Sequence, residues 1–151
     1  MKKSSWDYIY VAIQLILFVI YIIPSTALRF STYEILKNIG LITLILGVLL
    51  GIISLLQLNK HLSPFPTPVS GSELIRGCAY KYIRHPIYTG ILFALFGYGL
   101  HIGSAYKLII TSAFLILFYF KSKYEEKKLT SIFIDYPIYK KRTGRFLPKL
   151  F

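Results

Sequence analysis

The chain has 151 residues, 55% of them hydrophobic and 17% aromatic, only 16% charged, with a formal net charge of +12 and a positive mean hydropathy. That balance excludes an ordinary soluble domain, in which about a quarter of residues are charged, and places the chain in the membrane class. A single cysteine, Cys78, excludes an internal disulfide framework and any multi-cysteine metal site, so no metal is expected and packing within the bilayer must hold the fold.

Four apolar stretches follow in order: residues 8–23, 39–58, 87–102 and 108–120. A hydrocarbon core about 30 Å thick asks for roughly 20 helical residues. The second stretch satisfies this alone. The last two borrow flanking tyrosines, which widens the fourth to residues 106–124, and they join at a tight turn near Gly103 and Ser104. The expectation is an all-α, polytopic integral membrane protein: one domain over residues 1–151, about four transmembrane helices, and a cytosolic amphipathic C-terminal helix.

The first stretch has a rival reading as a cleavable signal, because Lys2 and Lys3 precede it and Ser25 and Ala27 suit a cleavage site. Its length, and the second membrane segment that follows, favour a retained span. In the second span Gly40, Gly47 and Gly51, and in the third Gly90, Ala94 and Gly97, supply the small residues that let helices approach closely.

Cations set the expected orientation, since cytoplasmic flanks accumulate lysine and arginine. With the N-terminus inside, fifteen of the eighteen cations are cytosolic, and only Arg29, Lys37 and Lys107 lie outside. Both termini are therefore expected in the cytosol. Topology and anionic headgroups account for the net charge, with no nucleic-acid partner required.

The loop over residues 59–86 carries Pro64, Pro66 and Pro68, which enforce an extended run, and then Gly71 and Gly77, which allow turns. A connection of that length tends to be functional. Cys78 in this loop reads as a small packing residue.

The loop ends in Arg84-His85-Pro86-Ile87-Tyr88-Thr89-Gly90, with Pro86 suited to a first helical turn. Arg84 and His85 then sit at the electropositive end of a helix. There they either receive an anion or anchor the span at the interface, and the residues alone do not choose. Beyond the fourth span, Glu125-Glu126-Lys127-Lys128-Leu129 is either a solvated ladder, with Lys121 and Lys128 beside the acids, or a second part of a site. Leu129, Ile132, Phe133 and Tyr136 recur at helical spacing, which predicts an amphipathic helix running without a break to Pro137.

Counting from the turn, His85 lies about 18 residues down one arm of the hairpin and Glu125 about 21 down the other, each near 30 Å at about 1.5 Å per residue. Both reach the same face at similar depth. Carboxylates, cations and aromatic faces gathered there suit the ribose, amino acid and sulfonium parts of S-adenosylmethionine.

These residues resemble the isoprenylcysteine carboxyl methyltransferase and phospholipid methyltransferase family of membrane enzymes. The resemblance runs over roughly residues 60–150, through Arg84-His85-Pro86-Ile87-Tyr88-Thr89-Gly90, Glu125-Glu126-Lys127-Lys128-Leu129, Tyr136-Pro137-Ile138-Tyr139, then Arg142-Thr143 and Leu147-Pro148. It implies a methyltransferase that uses S-adenosylmethionine and acts on a lipid or lipidated acceptor at the cytosolic face. It further implies a cofactor set of Tyr80, His85, Pro86, Ile87, Tyr88 and Glu125, closed over by Ser72, Glu73, Leu74 and Ile75. The implied catalytic groups are Lys121, Glu126 and Arg84. The isoprenylcysteine enzymes carry arginine where this chain has Lys121, and lysine cannot make the same bidentate contact. Two alternatives remain: a membrane reductase binding NADPH, since the C-terminal region of sterol reductases resembles the same pattern, and an inactive membrane subunit on the same scaffold.

Overall fold

A computed structural model describes residues 3–26, 28–58, 63–68, 71 and 73–149. Among them the chain forms five α-helices: α1 (Ser5–Ile22), α2 (Glu34–Leu58), α3 (Pro86–His101), α4 (Ala105–Ile132) and α5 (Tyr136–Arg142), with a short 3-10 helix at Cys78–Lys81. The all-α expectation holds. Lys2, Ala27, Lys60 and Ser72, which entered the sequence reading, lie outside the described residues.

Three of the helices, α1, α2 and α4, are long and apolar enough to cross a membrane. Their outward surfaces carry residues such as Ile16, Val19, Ile42, Leu49 and Ile116, all exposed in the isolated chain, as a lipid-facing surface requires. The protein is an integral membrane protein. The third expected span is shorter than the others: α3 has 16 residues, or about 24 Å of helix, less than the hydrocarbon thickness.

Helices pack in the order α2, α3, α4, α1. Glycines at heptad spacing hold α2 against α3. A Cβ at Gly47 would lie 2.5 Å from the backbone nitrogen of Ala94, and one at Gly90 would lie 2.7 Å from the carbonyl oxygen of Gly47. Gly40 and Gly97 repeat the arrangement one heptad away. Gly51 differs: its backbone lies under Gly90, but its own Cβ position faces open space.

The α3–α4 hairpin turns at Gly103, whose φ of 64° falls in the left-handed region that glycine adopts without cost. The Phe30 N–H donates to the Gly103 carbonyl at 2.9 Å, tying the α1–α2 connection to this turn.

α1 and α4 run antiparallel, joined by five pairs along their length: Asp7 with Lys128, Tyr10 with Tyr124, Gln14 with Lys121, Phe18 with Phe114, and Tyr21 with Lys107. Steps of three or four residues on α1, and of three, four or seven on α4, keep one stripe facing the partner. Phe114 and Phe118 at its centre are fully buried and anchor the core with Leu92, Ile110 and Leu117.

Two sequence expectations are corrected. The amphipathic helix expected to run unbroken to Pro137 is divided, because α4 stops at Ile132 and the seven-residue α5 begins at Tyr136. Pro137 has no N–H to give the carbonyl of Phe133, so a continuous helix would lose a bond there. That carbonyl accepts from Tyr136 N–H at 3.0 Å instead. Cys78 does not pack inside: it is exposed, with a φ of 50°.

Candidate functional site

Where the chain enters α3, residues 82–85 lie parallel to residues 144–145. The N–H groups of Arg84 and His85 donate to the carbonyls of Gly144 and Arg145 at 2.8 and 3.1 Å, and Gly144 N–H returns to Tyr82 at 3.0 Å. Thr89 Oγ1 donates to Phe146 O at 2.7 Å. The tail thus clasps the start of α3, satisfying backbone groups that a buried helix entrance would leave unpaired.

Beneath the clasp sits Glu126, 2% exposed. Its carboxylate meets Arg84 Nε at 2.9 Å, Lys140 Nζ at 2.9 Å and Arg145 Nη2 at 3.1 Å, with His85 Nε2 at 3.4 Å. Arg84 also donates to the carbonyls of Lys140 and Thr143. This cage links α3, α4, α5 and the tail.

Glu125, one residue earlier and so about 100° around α4, points elsewhere. It accepts from Tyr88 O–H at 3.0 Å and lies 3.7 Å from His85 Nδ1. The imidazole of His85 is buried and parallel to the Tyr88 ring, 5.4 Å away, and Tyr88 stacks in turn on Phe118 at 4.6 Å. Rotation of either ring is blocked on one face by its neighbour.

Lys121, 1% exposed, donates to Gln14 Oε1 at 2.6 Å and to the Pro64 carbonyl at 2.9 Å. The proline-rich segment is held from α1 as well. Asp7 accepts from Thr67 Oγ1 at 2.6 Å and from Thr67 N–H at 3.1 Å, and Lys128 Nζ lies 3.2 Å from the same carboxylate.

These groups surround a cavity of about 330 Å³. Glu73, Leu74 and Ile75 line it from the loop, and Tyr80, Arg84, His85, Ile87 and Tyr88 from the approach to α3 and its first turn. Lys121 and Glu125 line it from α4. Two predicted site residues stand apart. Pro86 is buried at the first position of α3 without reaching the cavity, and Glu126 faces the cation cage. Burial pushes the Tyr80 and Tyr136 hydroxyls upward and that of Tyr139 up to about 12, so all three are neutral at ordinary pH. Tyr139 O–H donates to Tyr80 O at 2.6 Å, whereas the buried Tyr136 hydroxyl has no partner among the described residues.

The sequence reading missed Asp7, Gln14, Thr67, Arg145 and Phe146. A usable signal existed for one of them, since Gln14 is the one amide in the apolar run of residues 8–23.

The sequence profile of phospholipid methyltransferases matches residues 35–135, from the start of α2 to just before α5. The chain belongs to the phospholipid methyltransferase family. Within that match lie His85, Tyr88, Lys121, Glu125 and Glu126, while α1 and the clasping tail lie beyond it. Among solved structures it is similar to a eukaryotic intramembrane Ras methyltransferase, an isoprenylcysteine carboxyl methyltransferase solved without a monobody. The two are 25% identical with a TM-score of 0.70, over 98% of this chain and 54% of that one. The chain therefore spans about half the length of that protein. Among curated protein sequences, none matches the chain.

Proposed function

We propose that this membrane protein transfers a methyl group from S-adenosylmethionine to a lipid or lipidated acceptor at the cytosolic face of the membrane. One observation carries the reading: His85 and Glu125, 3.7 Å apart and braced by Tyr88, share the wall of a cavity of about 330 Å³ at the cation-rich end of the bundle. That volume falls within the range of small-ligand pockets, about 300–1,000 Å³. Family membership and the likeness to a membrane methyltransferase support the same reading.

The lining fits the cofactor. Glu125 offers a carboxylate to hydroxyl or ammonium donors, His85 offers ring nitrogens, and Arg84, its guanidinium paired with Glu126, lies on the same wall. Tyr80 and Tyr88 supply aromatic faces for the base and the sulfonium. S-adenosylmethionine, when bound, supplies a methyl group already activated by its positive sulfur. The protein's own contribution is then positioning. On the apolar side Leu55, Leu58 and Ile91 line the cavity and suit an acceptor with a hydrocarbon tail.

Calorimetric titration of the purified protein with S-adenosylmethionine tests this directly, and saturable heat is expected. Neither heat nor thermal stabilisation at millimolar cofactor, or stabilisation by NADPH alone, would overturn it.

A further inference from the structure

α1 sends one polar side chain into the cavity from within the membrane. Gln14 lies seven residues inward of Asp7, about 10 Å along the helix, and its Oε1 accepts from Lys121 at 2.6 Å. The Pro64 carbonyl takes a second N–H of the ammonium, and the Tyr88 ring lies 5.4 Å away. Every one of these contacts is neutral. Among the described residues no carboxylate forms an ion pair with Lys121.

A buried ammonium without a directly paired carboxylate is costly in a membrane protein and persists where it is oriented and completed by a partner. An ammonium has three donors, and two are engaged by oxygens of the protein, which leaves the third to the cavity that Lys121 lines. Gln14 contributes an oxygen without contributing a negative charge. It therefore aims the cation without adding to the negative field that Glu125 and Asp7 already supply from a distance.

We propose that Gln14 is a positioning and specificity-determining residue for the acceptor: it fixes the Lys121 ammonium so that its remaining N–H receives an oxyanion carried on a hydrocarbon tail. The inference rests on the functional reading above and deepens it. It also assigns a role in the site to α1, which lies outside the residues matched by the family profile. The oxyanion can be a lipid carboxylate or a lipid phosphate, and the two sources are separable by experiment.

The test uses the full chain in nanodiscs, with Gln14→Met, Gln14→Glu and, as a control on the lipid-facing side of α1, Leu15→Ala. Three acceptor probes are supplied with labelled S-adenosylmethionine: N-acetyl-S-farnesylcysteine, whose anion is a carboxylate; phosphatidylethanolamine, whose anion is a phosphate; and a total polar lipid extract. Calorimetry gives the cofactor Kd, and thermal unfolding reports the fold.

Gln14→Met is expected to raise the acceptor KM about tenfold, the weight of one hydrogen bond to a charged group, with cofactor Kd unchanged and a lower unfolding temperature, because the buried ammonium loses a partner. Gln14→Glu keeps the hydrogen bond and adds a carboxylate that competes with the acceptor, so its unfolding temperature holds while its KM also rises. A merely structural bond would be restored by glutamate. Wild-type KM in either Gln14 variant overturns the inference and leaves the functional reading standing, provided the wild type binds cofactor and methylates a probe. A wild type that binds no cofactor, or methylates none of the three probes, overturns both.

Discussion

Arg84 Nε lies 2.9 Å from Glu126 Oε1, and that pair is the centre of a buried charge cluster joining the start of α3, the end of α4 and the tail. The side chains are 8% and 2% exposed, so neither charge has water to fall back on. Glu126→Gln leaves Arg84 and Arg145 uncompensated, and a loss of about 3–5 kcal/mol of stability is expected, read as a large drop in unfolding temperature. Lys140 belongs to the same cluster but is 46% exposed, so Lys140→Ala is expected to cost under about 1 kcal/mol. A Glu126→Gln protein that kept its unfolding temperature and lost methyl transfer would assign this residue a catalytic role in place of the structural one.

Glycine packing between α2 and α3 makes a sharper contrast between two neighbouring positions. Gly47→Val sets a side chain against the backbone of α3 at Ala94, which cannot move without separating the helices, so no monodisperse protein is expected on size exclusion. Gly51→Ala meets open space and removes a flexible residue from a helix interior, so stability should be unchanged or rise by up to about 1 kcal/mol. Equal tolerance at both positions would contradict the contact geometry.

The sequence located the site more surely than it assigned roles within it. His85 and Glu125 could be placed at one depth because a tight turn in an antiparallel hairpin converts residue count into distance, and the structure brings them to 3.7 Å. Which of two adjacent glutamates would face the cavity depended on the rotation of α4 about its axis, set by contacts with α1 and the tail that local sequence does not encode. The stripe of Asp7, Tyr10, Gln14, Phe18 and Tyr21 on α1 was hidden for a related reason. Lipid hides the usual contrast: a helix apolar on its outer face as well shows little amphipathic period. The division of the C-terminal helix was legible in Pro137, had its missing donor been weighed above the apolar spacing.

Tyr88 braces the wall of the cavity proposed to hold the cofactor through its ring and its hydroxyl, and Tyr88→Phe separates the two. The stack on Phe118 is retained, while Glu125 loses a donor at 3.0 Å. Glu125 is partly open to solvent, and water replaces some of that bond. The expected weakening is therefore about 1 kcal/mol, roughly fivefold in the Kd for S-adenosylmethionine, with stability unchanged. Calorimetry measures it, and an unaltered Kd would remove Glu125 from the cofactor's partners.

Asp7 and Lys128 hold Thr67, which lines the same cavity. Asp7 is fully buried and holds both the hydroxyl and the amide of Thr67, so its charge is the point where the proline segment is fastened to α1. Asp7→Asn removes that charge and leaves Lys128 beside Thr67 without its counter-ion, and faster amide exchange at Thr67 is expected together with lower stability. Lys128→Met alone strands the buried carboxylate and is expected to cost at least as much. The double variant loses both charges together, so it should be less destabilised than the sum of the two, by about 0.5–3 kcal/mol. Strict additivity in this cycle, or unaltered exchange at Thr67 in Asp7→Asn, would mean that α1 lies beside the segment without fastening it.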